Sequence, residues 1–140
     1  MRHSALLFLG AAGALFAVDR MFGWPMAYAV AYGAVVLMAA MIAATFLWLW
    51  LKRATPLALG MAFSWAGTAS VLGWWWVWRT AGEPEAMDQN AALFGFVALY
   101  LVGATLHFHV IERSMDLRPG TFAVPVVGAV LLSTLVALVI

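Results

Sequence analysis

From Met26 to Leu51 the chain runs without one charged residue, and that run decides what solvent the protein can fold in. About 20 apolar residues rising 1.5 Å each cross roughly 30 Å of hydrocarbon. Four further apolar stretches accompany it: Ser4 to about Phe22, Pro56 to Trp78, Ala91 to Ile111 and Pro119 to Ile140. The composition agrees. Charged residues make up 9% of the 140 positions and hydrophobic residues 66%, whereas a soluble domain keeps roughly 25% charged. The mean hydropathy is +1.00. These features predict one all-α membrane domain over residues 1–140, a bundle of about five transmembrane helices near 4–22, 26–51, 56–78, 91–111 and 119–140.

The breaks between stretches hold nearly all the charge. Gly23-Trp24-Pro25 and Arg118-Pro119-Gly120 are turn clusters. Lys52-Arg53 marks a third turn, and 79–90 is the one extended loop, with Glu83, Glu85 and Asp88. The first stretch has Arg2, a short apolar run and Ala12-Gly13-Ala14, the outline of a secretory signal. The apolar run before that triplet is too short for one, so the segment is read as a retained helix.

Orientation follows the Lys/Arg asymmetry. Five helices place Arg2, Lys52, Arg53, Arg113 and Arg118 on one side and Arg20 and Arg79 on the other. The prediction is a multi-pass protein of a bacterial inner membrane, N-terminus cytoplasmic and C-terminus outside. Lys52, Arg53, Arg113 and Arg118 act as topology determinants. Tryptophans cluster where interfaces are expected: Trp24, then Trp48 and Trp50, then Trp74, Trp75, Trp76 and Trp78. Indoles favour the headgroup level, so these are read as interface anchors. Arg79 is expected to make a cation–π contact with Trp75 or Trp76.

Helix–helix contact in lipid relies on small residues, because burying apolar surface gains nothing there. The third stretch carries Ala58, Ala62, Ala66 and Ser70 in one fourfold series and Gly60, Ser64 and Thr68 in another. Ala27, Ala31, Ala39 and Ala43 provide similar steps in the second. Internal packing is the plain expectation for these series; a face that docks another protein would use the same residues.

Among titratable groups, His107 and His109 stand out near the end of the fourth stretch. Imidazole ligates haem iron and metals. Residues two apart on a helix point about 200° apart, so the pair cannot hold one centre. Hydrated or hydrogen-bonded interfacial histidines are the plainer expectation, and His3 falls on the same predicted side. Glu112, Arg113, Asp116 and Arg118 are read as a solvated cap, and Asp19-Arg20 as a self-neutralising pair.

Several function classes fall away. Cysteine is absent, which removes disulfides, iron–sulfur clusters and thiol catalysis. A net charge of +1 gives no reason to expect nucleic acid. No Asp, Glu, Lys or Arg sits mid-stretch, where ion-coupled carriers need one, and no nucleophile–base set or phosphate loop is visible. Three readings remain. The favoured one is a non-catalytic accessory or assembly subunit of a larger respiratory or photosynthetic membrane complex, its partners being the bilayer and other subunits or copies of itself. The second is a haem- or pigment-binding redox or sensor protein using His107 or His109. The third is an oligomeric channel for a small neutral solute, lined by Ser64, Thr68, Ser70 and Thr105.

Overall fold

The computed structural model describes residues 2–140; the Arg2 side chain, counted among the cations above, lies outside that description. The described residues are all-helical, in the order α1 (Arg2–Phe22), α2 (Trp24–Arg53), α3 (Pro56–Thr80), a short 3-10 turn (Glu85–Met87), α4 (Ala92–Ser114) and α5 (Ala123–Val139). Four of these segments are long and apolar enough to cross a membrane. The fifth, at 17 residues, spans about 26 Å.

Each turn has a local cause. Gly23 sits at φ +84, a conformation open to a residue without Cβ. Its N–H closes α1 onto Asp19 O at 2.8 Å. Pro25 in the first turn of α2 loses no hydrogen bond, because first-turn N–H groups lack helical acceptors anyway. Ala54 in the left-handed region ends α2, and Pro56 opens α3. Asn90 Oδ1 accepts the Ala92 N–H at 2.9 Å and starts α4.

The fifth helix departs from the sequence expectation. It starts at Ala123, not Pro119. The Thr121 N–H closes onto Arg118 O at 3.1 Å, and Gly120 at φ +93 prevents helix from forming earlier. α4 runs on to Ser114 instead of stopping at Ile111, so Glu112 and Arg113 belong to its last turn.

The helices stand in chain order as an open row. α3 packs closely against α2 on one side and α4 on the other; α1 leans on α2, and α5 touches α4 lightly. Neither α1 nor α5 packs extensively on a second neighbour, so the expected bundle is not closed. The centre is made of small residues. Its buried positions are Ala27, Gly33, Val36, Ala39 and Ala43 on α2, Ala58, Gly60, Ala62 and Gly67 on α3, and Gly103 and Glu112 on α4. Among the residues whose side chains are described, neither α1 nor α5 contributes a buried one.

Candidate functional site

α3 carries two packing faces about 180° apart. Towards α2, Trp76 Nε1 donates to Ala29 O at 2.9 Å, and a methyl group at Gly73 would fall 3.3 Å from Val36 Cγ1. Ala58 and Ala62 share that side by helical spacing and are 2% and 3% exposed. Towards α4, a methyl group at Gly60 would fall 2.9 Å from His107 N, and one at Gly67 2.7 Å from Tyr100 Cα. Across from them, a methyl group at Gly103 would fall 2.6 Å from Ser64 Oγ and 2.8 Å from Gly60 O. Backbone lies on backbone here, a contact only glycine allows.

The fourfold series locate these faces and then drift off them. Four residues turn a helix 400°, so each step precesses 40°. Ala58 and Ala62 are buried, while Ala66 and Ser70 are half-buried. In the second series Gly60 and Ser64 meet α4, and the next backbone-close contact is at Gly67, with Thr68 beside it at the cavity shared with Val97 and Tyr100. Thr68 Oγ1 donates to Ser64 O of its own helix at 2.9 Å, as Ser and Thr in helices commonly do. Thr105 likewise donates to Leu101 O at 2.8 Å. Gly33, Gly67 and Gly103 lie outside every fourfold series considered; alternating steps of three and four would have found Gly67.

The two histidines diverge. His107 lies on the α3 side of α4, its backbone N over Gly60, and its Nδ1 is buried without a hydrogen-bond partner among the described residues. His109 faces the chain leading into α5, its ring edge-on to Phe122 with centroids 5.3 Å apart. His3 is exposed on α1, which packs on α2 and not on α4. No group of three His, Cys, Asp or Glu able to hold a metal occurs among the described residues.

Glu112 corrects the solvated-cap reading. It is 7% exposed, and its Oε2 accepts the Phe122 N–H at 2.9 Å. A carboxylate at a helix N-terminus meets unsatisfied N–H groups and the positive end of the helix dipole, so Glu112 on α4 caps α5. A cavity of about 180 Å³ between Phe108, Glu112, Thr121 and Pro125 adjoins it. The other members of the cluster, Arg113, Asp116 and Arg118, are exposed, as are Lys52 and Arg53.

The charged and aromatic residues at the opposite end also find partners the sequence did not indicate. The Arg79 guanidinium lies 4.9 Å above the ring centroid of Tyr28, not on Trp75 or Trp76. Arg20 lies 5.0 Å from the Phe16 centroid instead of turning to Asp19, because consecutive helix residues do not face each other. Trp24 and Trp48 are exposed and Trp50 is half-buried. Trp74, Trp75, Trp76 and Trp78 are all half-buried. Trp74 Nε1 donates to Met87 O at 3.1 Å and thereby holds the loop. Trp75 and Trp78 pack edge-on at 5.4 Å, and Trp78 Nε1 is buried without a partner among the described residues.

Between the midpoints of α3 and α4 lies an apolar cavity of about 250 Å³ bordered by Gly67, Thr68, Val97 and Tyr100. The strongest geometric feature of the molecule is nonetheless the pair of glycine- and alanine-lined seams. Set against models of known families, curated proteins and solved structures, the chain matches none of them.

Proposed function

We propose that this protein is a multi-pass component of a bacterial inner membrane that serves as a non-catalytic accessory or assembly subunit of a larger membrane complex. The positive-inside asymmetry supports a cytoplasmic N-terminus and an outside C-terminus. The observation that carries the proposal is the openness of the row: α1 and α5 flank the packed trio, and none of their described residues is fully buried. Phe8, Leu7 and Leu9 on α1 are exposed, as are Leu131, Leu132 and Leu135 on α5. Lipid can cover such flanks, but partner helices use them, and a close-packed trio with two apolar wings suits a part that wedges among other subunits. The proposal is tested by mild-detergent extraction from native membranes and measurement of particle mass and composition. A large particle with stoichiometric partners is expected. A homo-oligomer or a monomer would refute the subunit reading.

His107 supports a second reading. Its unpartnered Nδ1 leaves an imidazole whose hydrogen bonding is incomplete, as for a ligand to haem or pigment. That reading expects a visible absorption band that His107→Ala removes; a colourless purified protein would end it.

A further inference from the structure

Two hollows meet at the end of the α2–α3 seam where α2 begins and α3 ends. One, of about 200 Å³, is bordered by Tyr28 and Arg79. The other, a shallow open trough of about 460 Å³, is bordered by Met26, Val30, Gly33 and Leu37. Ala29, Trp76 and Thr80 border both.

The shared floor is rigidly built. Trp76 lies across α2 with Nε1 bonded to Ala29 O. The indole fits because Gly33 has no side chain; a methyl group there would fall 2.6 Å from Trp76 Cζ2. Met26, Val30 and Leu37 stand exposed along the trough. From Met26 to Leu37 is eleven helical steps, about 16 Å.

The upper end carries one cation on the α3 side, while Asp19 of α1 borders a separate hollow on the other side of Tyr28. The Arg79 guanidinium is held above Tyr28. α2 starts beside it from Gly23, which offers no side-chain cap; Pro25 carries no N–H and the Ala27 N–H bonds Gly23 O at 3.2 Å, which leaves the N–H groups of Trp24 and Met26 at the positive end of the helix dipole. The acidic loop is drawn to the other flank of α3, where Trp74 Nε1 binds Met87 O and the Trp74 ring packs on Phe96 of α4 at 6.0 Å.

We propose that this seam binds one anionic phospholipid. Its phosphate sits at Arg79 and the start of α2, and one acyl chain lies over Trp76 along the trough to Leu37. Charge favours a headgroup without a cation of its own, since among the described residues Arg79 is the one charged group bordering either hollow and a choline ammonium would bring a like charge beside its guanidinium. Length selects the chain, since 16 Å is about one leaflet of a ~30 Å core. The inference rests on the membrane reading above and extends it to a defined lipid partner.

The test titrates delipidated full-length protein in detergent with phosphatidylglycerol or phosphatidylcholine and counts bound lipid by native mass spectrometry. Wild type should retain one phosphatidylglycerol in preference to phosphatidylcholine. Arg79→Gln should weaken that retention about tenfold, the scale of one lost charge-assisted hydrogen bond. Arg79→Lys should keep most of it, and Ala34→Phe, at a residue that also borders the trough, should fill it and reduce retention with Arg79 intact. Arg20→Gln removes a cation seated on an aromatic ring of α1 and should change nothing. Equal retention of both lipids, an Arg79→Gln protein that binds like wild type, or equal losses from Arg79→Gln and Arg20→Gln would each overturn the site. Resistance of the wild type to alkaline carbonate extraction reads the membrane proposal separately. Release by carbonate would end both, whereas resistance together with unselective lipid binding would end the site alone.

Discussion

The α2–α3–α4 trio and the wings α1 and α5 use the same apolar alphabet to opposite ends. Gly33, Gly60, Gly67 and Gly103 each stand where a methyl group would collide with a neighbouring helix. Gly10 and Gly13 on α1 and Gly128 on α5 have nothing within 4 Å of that position. A glycine in an apolar helix is therefore not itself evidence of contact. It becomes a contact where a second helix presents backbone to it, or at Gly33 the Trp76 indole, and among the described residues only the trio does so. Cohesion in the trio comes from close van der Waals approach, which falls off within an ångström; the wings are joined by turns and a few side chains.

The largest effect that could break this contrast is at Gly103. Gly103→Leu should abolish the folded trio, and Gly103→Ala should destabilise it by about 1–3 kcal/mol, the usual cost of overpacking, read as a fall in the thermal midpoint in detergent. Both helices present main chain at this crossing, so no flexible side chain can yield. An unchanged midpoint for Gly103→Ala would remove the case for a tight α3–α4 seam.

Next comes Glu112→Ala, which leaves the Phe122 N–H without its acceptor. A loss of about 1 kcal/mol is expected for a part-buried hydrogen bond to a charged acceptor, felt by α5 more than by the trio. Hydrogen exchange at residues 115–126 should accelerate while α3 stays protected. Acceleration of equal size in α3 would mean that α5 is part of the core. Trp76→Phe, which removes one interhelical hydrogen bond, should cost less, about 0.6 kcal/mol, the average for such bonds between membrane helices. The smallest effect is predicted for Gly10→Ala and Gly13→Ala. Both should be neutral or stabilising by up to about 1 kcal/mol through helix propensity. A loss matching Gly103→Ala would show that α1 is packed after all.

Much of the fold can be read along the chain. The charge-free run into Lys52-Arg53, the Gly23-Trp24-Pro25 break and the acidic loop after Arg79 divide it into helices, because apolar length and helix-breaking residues are local properties. The start of α5 was misplaced because Pro119 is compatible with a first helical turn, and only the Thr121–Arg118 closure shows that the turn continues. The candidate site was half legible. Ala58, Ala62, Gly60 and Ser64 announce a close-packing helix, but a fourfold series cannot follow a 3.6-residue period beyond two members. Glu112 looked solvated because its neighbours Arg113 and Asp116 are charged. Its burial depends on the chain folding back from Leu117 to Phe122, which no periodicity encodes.

By itself, then, the sequence determined that the chain is helical, where its charges collect and which helix is richest in small residues, since each of these depends on residues within a few turns of one another. The tertiary structure decided that the helices stand in an open row, that Gly67 meets Tyr100 and Gly103 meets Gly60, that Arg79 crosses to Tyr28 and that Glu112 caps α5. These pairings join residues 10 to 51 positions apart, and their energies exist only at separations of a few ångströms, so nothing in the order of the residues can specify them before the helices have packed.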